Sequence, residues 1–263
     1  MKIATWNINS LKARRDELVS WLRENRPHVV ALQETKTDDD AFREHYQPIF
    51  EAEGYGAAFH GHGGQCGVAI LGRQPLVVTR KGLLGQEDQG ARLLTVQTAG
   101  LLFTTVYVPI ASGKGPSGVE RKLEWLDALA EYVRESAHKD MPAVLCGDFN
   151  IAPEPIDDWK HWYGKKRGRR EPGFREDERS RIRSFAEAGW SDLVRHLNPE
   201  GRLFTWWWRR DFYVQNKGLR LDLVLGNPAV VERLRSASIV HSPHENRGRT
   251  GRPDHAPVIV DLA

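Results

Sequence analysis

Four short apolar runs, each bordered by a polar cluster, constrain this chain more than any other feature. Lys2–Trp6 leads into Asn7-Ile8-Asn9, Val29–Leu32 into Gln33-Glu34-Thr35, and Ala143–Cys146 into Gly147-Asp148-Phe149-Asn150; Pro253-Asp254-His255 comes just before Pro257–Asp261. Runs of this length read as buried strands. A polar residue at a strand end sits on a sheet rim, where several ends can converge on one pocket. Gathered there, these carboxylates and amides supply the hard oxygen ligands that Mg²⁺ prefers, with His255 beside them. The set points to a metal-dependent phosphodiesterase.

Strand and helix signals alternate along the chain. Ser10 is the expected N-cap of a helix over Leu11–Asn25, whose Leu11, Leu18, Trp21 and Leu22 recur at helical spacing. Gly67–Leu71, Leu76–Thr79, Leu93–Thr98 and Leu101–Val108 follow as strands, the last two at hairpin spacing around Ala99-Gly100. Val119–Ser136 and Arg175–Gly189 predict amphipathic helices; Leu219–Leu225 and Ala237–Val240 predict strands. Hairpins mixed with crossover helices, without a repeat or linker, predict one α/β domain over 1–263, with two packed sheets covered by helices.

Composition narrows the classes further. No apolar run approaches the roughly 18 residues of a membrane span. Met1-Lys2 runs straight into a strand-like segment, unlike a secretory signal. Cys66 and Cys146, the two cysteines, lie in or beside apolar runs and read as buried free thiols of a reducing compartment. An intracellular, cytoplasmic protein is expected. The net charge is only +3, yet residues 31–60 hold seven acids against two bases, and 161–175 hold six bases against one acid. The basic stretch, with Lys165, Lys166, Arg167, Arg169 and Arg170 among aromatics and glycines, suits a phosphate backbone, or reads as a solvated loop.

Individual residues then take candidate roles. Glu34 at a strand end can anchor a divalent ion, and Asn7 beside it can position water or phosphate. Asp148 and Asn150 flank Phe149, so in an extended segment both face one way, the carboxylate binding a water that the amide orients. The competing reading is a turn in which both bond their own backbone. His255 can donate to a phosphoryl oxygen if a second group fixes its tautomer. Asp222, an acid inside an apolar run, is the candidate partner, with a salt bridge to Arg220 as the alternative. Tyr107 ends a strand and can donate to phosphate. In Trp206-Trp207-Trp208, alternation buries Trp207 and leaves the other two to pack on sugars or bases.

Taken together, these motifs resemble the exonuclease III and abasic-site endonuclease family. The resemblance runs from Trp6-Asn7-Ile8-Asn9 and Leu32-Gln33-Glu34-Thr35-Lys36, through Tyr107-Val108-Pro109 and Gly147–Asn150, to Phe204-Thr205-Trp206-Trp207, Asn216–Asp222 and Asp254-His255-Ala256-Pro257. It implies a four-layer α/β sandwich and Mg²⁺- or Mn²⁺-dependent attack of water on DNA phosphodiesters by a monomer acting on duplex DNA. It implies Glu34 as the main metal ligand, with Asn7, Asn9 and Asp254 lining the metal region. Asp148 would activate water and Asn150 orient it; His255, held by Asp222, and Tyr107 would stabilise phosphoryl charge. Arg92, Lys122, Asn216, Trp206 and Leu219 join the basic stretch as expected DNA contacts.

The chain departs from the family at Ile110, where an amide usually follows the proline, at Thr105, and at Pro253 in place of serine. These departures bear on abasic-site incision and leave open a nuclease confined to 3′-end processing. More distant alternatives are a small-molecule phosphoesterase and a non-catalytic nucleic-acid-binding protein.

Overall fold

The computed structural model describes residues 1–111, 116–136, 141–165, 173–240 and 254–263. Twelve strands among them form two six-stranded sheets. In chain order they are β1 (Lys2–Asn7), β2 (Val29–Gln33), β3 (Gly56–His60), β4 (Val68–Gly72), β5 (Val77–Lys81), β6 (Leu93–Thr98), β7 (Leu101–Tyr107), β8 (Ala143–Asp148), β9 (Ser191–Asp192), β10 (Asp222–Gly226), β11 (Leu234–Ile239) and β12 (Val258–Leu262). One sheet runs β11-β12-β1-β2-β4-β3 and the other β5-β6-β7-β8-β10-β9.

Both sheets share one pairing scheme. Each has a central parallel pair, β1–β2 or β7–β8, with antiparallel strands on either side. Ile3, Val29, Ala31, Val68 and Val258 from one sheet pack against Val96, Phe103, Val144, Cys146 and Val224 from the other, giving the sandwich its inner layer. Helix Leu11–Asn25 covers the outer face of the first sheet through Leu11, Leu18 and Leu22. Pro116–Ser136 and Glu176–Glu187 cover the second through Trp125, Leu129, Ile182 and Phe185. Four layers result, as the resemblance implied.

Register brings the strand ends together. Parallel pairing sets Asn7 beside Gln33 and Tyr107 beside Asp148, at the carboxyl ends of both central pairs. Antiparallel pairing sets the first residue of β10, Asp222, opposite Asp148, and starts β12 beside the end of β1. Between the sheets Gln33 Nε2 donates to Thr5 Oγ1 at 2.9 Å and Thr105 Oγ1 at 2.8 Å, so Thr105 ties the layers beneath the rim. Gly147 is required where β8 passes β7, because a Cβ there would lie 2.0 Å from the Val106 carbonyl oxygen.

Local expectations change at Ser10 and at Leu219–Leu221. Ser10 flanks its helix at φ 99° without a side-chain cap. Leu219–Leu221 is not part of β10; Leu219 pairs with Trp206, and Arg220 donates to Asp157 at 2.7 Å. Arg220 thus belongs to a buried pair with Asp157, which leaves Asp222 for another partner. Cys66 and Cys146 are buried free thiols, as expected.

Candidate active site

The rim where the two central pairs end carries a continuous hydrogen-bonded cluster. The Asn7 amide reaches across it, donating from Nδ2 to Glu34 Oε1 at 2.8 Å and to Asp148 Oδ2 at 2.9 Å. Its own Oδ1 accepts the Asn9 backbone N–H at 3.0 Å. A residue of β1 thereby fixes one carboxylate from each sheet. Glu34 lies just past β2 with φ 52°, a left-handed backbone that costs a non-glycine residue about 1–3 kcal/mol and persists only where the surroundings impose it.

On one flank Glu34 Oε2 lies 2.8 Å from the Lys36 ammonium, which also donates to Asn9 Oδ1. Asn9 Nδ2 donates to Asp254 Oδ1 at 3.3 Å. A cation already sits between a carboxylate and an amide oxygen, and the neighbouring donors are all hard oxygens. This set fits a divalent ion such as Mg²⁺. Lys36 belongs to one of the sequence motifs, yet nothing local to it signals this position.

On the other flank Asp148 is buried among Asn7, Asn150 and His255. Burial raises its carboxyl to about 7, with Asp222 adding to the rise and His255, Asn7 and Asn150 opposing it. His255 Nδ1 lies 2.7 Å from Asp222 Oδ2, and its Nε2 lies 3.8 Å from Asp148 Oδ2. Burial works against the imidazolium, but Asp222 and then Asp148 outweigh it and raise His255 to about 10. The oxygens and ring nitrogens of Asp148, Asp222 and His255 lie close enough to hold an ion. Thr205 Oγ1 accepts the backbone N–H groups of Leu221 at 2.9 Å and Asp222 at 3.1 Å, fixing where β10 begins.

Asn150 corrects the extended-segment expectation. Its φ is 51°, and its N–H turns back to Asp148 Oδ1 at 2.8 Å, so the turn reading describes the backbone. Its side chain does not point with that of Asp148; Nδ2 donates to the Val108 carbonyl at 2.9 Å. Tyr107 is buried; burial, then the Glu34 and Asp148 charges, raise its hydroxyl above the usual phenol range.

The expected DNA contacts divide. Lys122 is not on the surface: it is 1% exposed, lies 2.9 Å from Glu178 and donates to the Asn150 carbonyl at 2.8 Å. A cation on the inner face of its helix needs that partner, and the pair clamps the Asn150 turn from below. Arg92 is half-buried with its guanidinium 4.8 Å from the Tyr107 ring, and it donates to the Tyr107 carbonyl at 3.2 Å, so it braces the rim. Leu219 and Trp206 pack with Ala152, Phe174 and Leu221 beside the cluster, and Trp206 Nε1 donates to Asp254 Oδ2 at 3.3 Å. Asn216 takes φ 47° in the turn before Leu219. Lys166, Arg167, Arg169 and Arg170 lie outside the described residues, as does Pro253.

Lys165 is described, and it opens a surface that sequence reading missed. Its ammonium lies 5.5 Å from the Trp159 ring, and Lys217 lies 5.8 Å from Trp159 and 5.0 Å from Tyr163. Arg202 lies 5.1 Å from Tyr163. These cations are far apart in sequence, so only the fold groups them.

The sequence model of the Endonuclease/Exonuclease/phosphatase family matches residues 4–244, nearly the whole chain. The chain belongs to the Endonuclease/Exonuclease/phosphatase family. Within that family it is 31% identical to exodeoxyribonuclease III of Haemophilus influenzae over 100% of both chains. It is 30% identical to the DNA repair nuclease APEX1 of Danio rerio, over 100% of this chain and 82% of that protein. An AP endonuclease from Archaeoglobus fulgidus superposes with a TM-score of 0.88 at 29% identity, covering 100% of this chain and 99% of that one. A 3′ phosphatase from Neisseria, solved with product DNA hairpin, also superposes at 0.88, with 28% identity and the same coverage. Membership accounts for the two-sheet fold.

Proposed function

We propose that this DNA repair nuclease hydrolyses phosphodiesters in duplex DNA with a divalent ion, Mg²⁺ or Mn²⁺, held by Glu34, Asn9 and Asp254, with Asn7 between the ion and the base. The observation that carries the reading is the Asn7 amide bonded at once to Glu34 and Asp148, because it locks a metal-binding carboxylate to a proton-accepting one. When bound, the ion polarises the phosphoryl oxygens and neutralises charge that develops on them. Asp148 takes the proton of the attacking water, and the Asn150 turn holds its carboxylate in place. His255, kept charged by Asp222, donates from Nε2 to a phosphoryl oxygen. Tyr107 donates its hydroxyl proton nearby. Preorganised donors of this kind are worth ~10²–10³-fold each.

Trp206 and Leu219 form an apolar wall beside the cluster that suits a sugar without its base or a frayed 3′ nucleotide. Ile110, 52% exposed after the rim proline, offers phosphate no hydrogen bond. That favours 3′-end processing over abasic-site incision as the stronger activity. The protein works as a monomer inside the cell; among the described residues no helix is long and apolar enough to cross a membrane.

An end-labelled duplex with one internal abasic analogue, incubated with Mg²⁺, separates these activities. Shortening from the 3′ end faster than incision beside the analogue is expected, with both lost in Asp148→Asn. Incision as the dominant product would reverse the ranking. No cleavage would sink the reading.

A further inference from the structure

Trp208 is 70% exposed, although its neighbour Trp207 is 5% exposed in the core and Trp206 is half-buried. An indole presents a flat π-face on a large apolar ring, so one exposed beside the candidate site can stack on a ring that is bound there. The ring meets Trp206 edge-on, with centroids 6.0 Å apart and planes at 69°. Trp206 in turn bonds Asp254 and pairs with His255. Trp208 therefore stands one ring away from the reacting centre. Exposed Arg209 and Arg210 follow it. Arg209 lies 3.3 Å from Asp211, whereas Arg210 has no acidic partner among the described residues.

We propose that Trp208 is a stacking platform for the unpaired nucleobase at a DNA 3′ end, an inference that rests on the phosphodiesterase reading above. The occupant follows from position and charge. A sugar against Trp206 carries its base outward toward the exposed ring, and the arginines face an anionic strand. An indole accepts any base, since every base has a π-face. A base paired inside a duplex is already stacked and is not free to bind; an abasic residue has none to offer. The platform thus selects frayed or mismatched 3′ ends, and it ranks them above both paired ends and abasic sites.

The test measures binding of two end-labelled duplexes in EDTA. They are identical except that the unpaired 3′-terminal residue carries thymine in one and is a base-less analogue in the other. Wild type is expected to bind the thymine duplex ~5- to 150-fold more tightly, the range that stacking on an aromatic side chain gives. Trp208→Ala should erase that preference while keeping its affinity for the base-less duplex, and Trp208→Phe should retain most of it. With Mg²⁺, Trp208→Ala should raise KM on frayed ends and leave kcat unchanged. An unchanged melting temperature for the exposed substitution excludes misfolding. Equal affinity of wild type for both duplexes, or equal losses on both in Trp208→Ala, overturns the platform while cleavage by wild type keeps the nuclease reading. Absence of cleavage by wild type overturns both.

Discussion

His255 and Asp222 share a buried hydrogen bond, Nδ1 to Oδ2 at 2.7 Å. The bond joins a residue just before β12 to the first residue of β10, so it forms only once both sheets are assembled. It fixes the imidazole's orientation and turns Nε2 toward Asp148.

In the mechanism proposed above, Asp148 and His255 set the pH range of the reaction. Asp148 must lose its proton, so activity rises through about 7. His255 must keep its proton; its raised value means that the charge persists through neutrality and is lost only near about 10. In Asp222→Asn, burial is no longer offset by the nearest anion, so the alkaline limb of kcat/KM moves to lower pH by at least about one unit. An unmoved alkaline limb in the measured profile would refute Asp222 as the group that holds His255 charged.

Lys122 separates structural from DNA-contact roles. Lys122→Met leaves the Glu178 carboxylate buried without its counter-ion, and it should lower unfolding free energy by ~3–5 kcal/mol in urea titrations. A phosphate contact would instead reduce the salt slope of DNA binding by about 1 with little change in stability. The structure predicts the first pattern.

The Trp159–Tyr163 surface predicts the converse. Lys165 and Lys217 are positioned over aromatic rings, and neither has a carboxylate partner among the described residues. Lys165→Gln with Lys217→Gln should flatten log Kd against log salt by ~0.9 for each phosphate no longer neutralised, leaving the melting temperature unchanged. An identical slope would remove this surface from the DNA path.

Much of the site is legible in the sequence because its chemistry sits at strand ends. Glu34, Asp148 and His255 each border an apolar run, and Asp222 stands out as an acid inside one. What stays hidden depends on register and helix facing. Asn7 bonds two carboxylates only because the sheets pack with both central pairs ending at one rim. Lys122 looks like any cation on an amphipathic helix; its burial is decided by Glu178 on a neighbouring helix. The Asn150 turn is one of two conformations the sequence allows, and the left-handed φ that settles it is imposed by contacts with Val108 and Lys122. Arg92 carries no local mark that its guanidinium stacks on Tyr107.

In the proposed mechanism Glu34 holds a divalent ion beside the Asp148 base. The rate of cleavage of an end-labelled duplex across a Mg²⁺ titration, for wild type and Glu34→Gln, tests it most directly. No cleavage is expected in EDTA and, for Glu34→Gln, half-saturation at ~10-fold or more higher Mg²⁺, as loss of a ligand's charge requires. Cleavage that persists in EDTA, or a Mg²⁺ dependence that Glu34→Gln leaves unchanged, would contradict it.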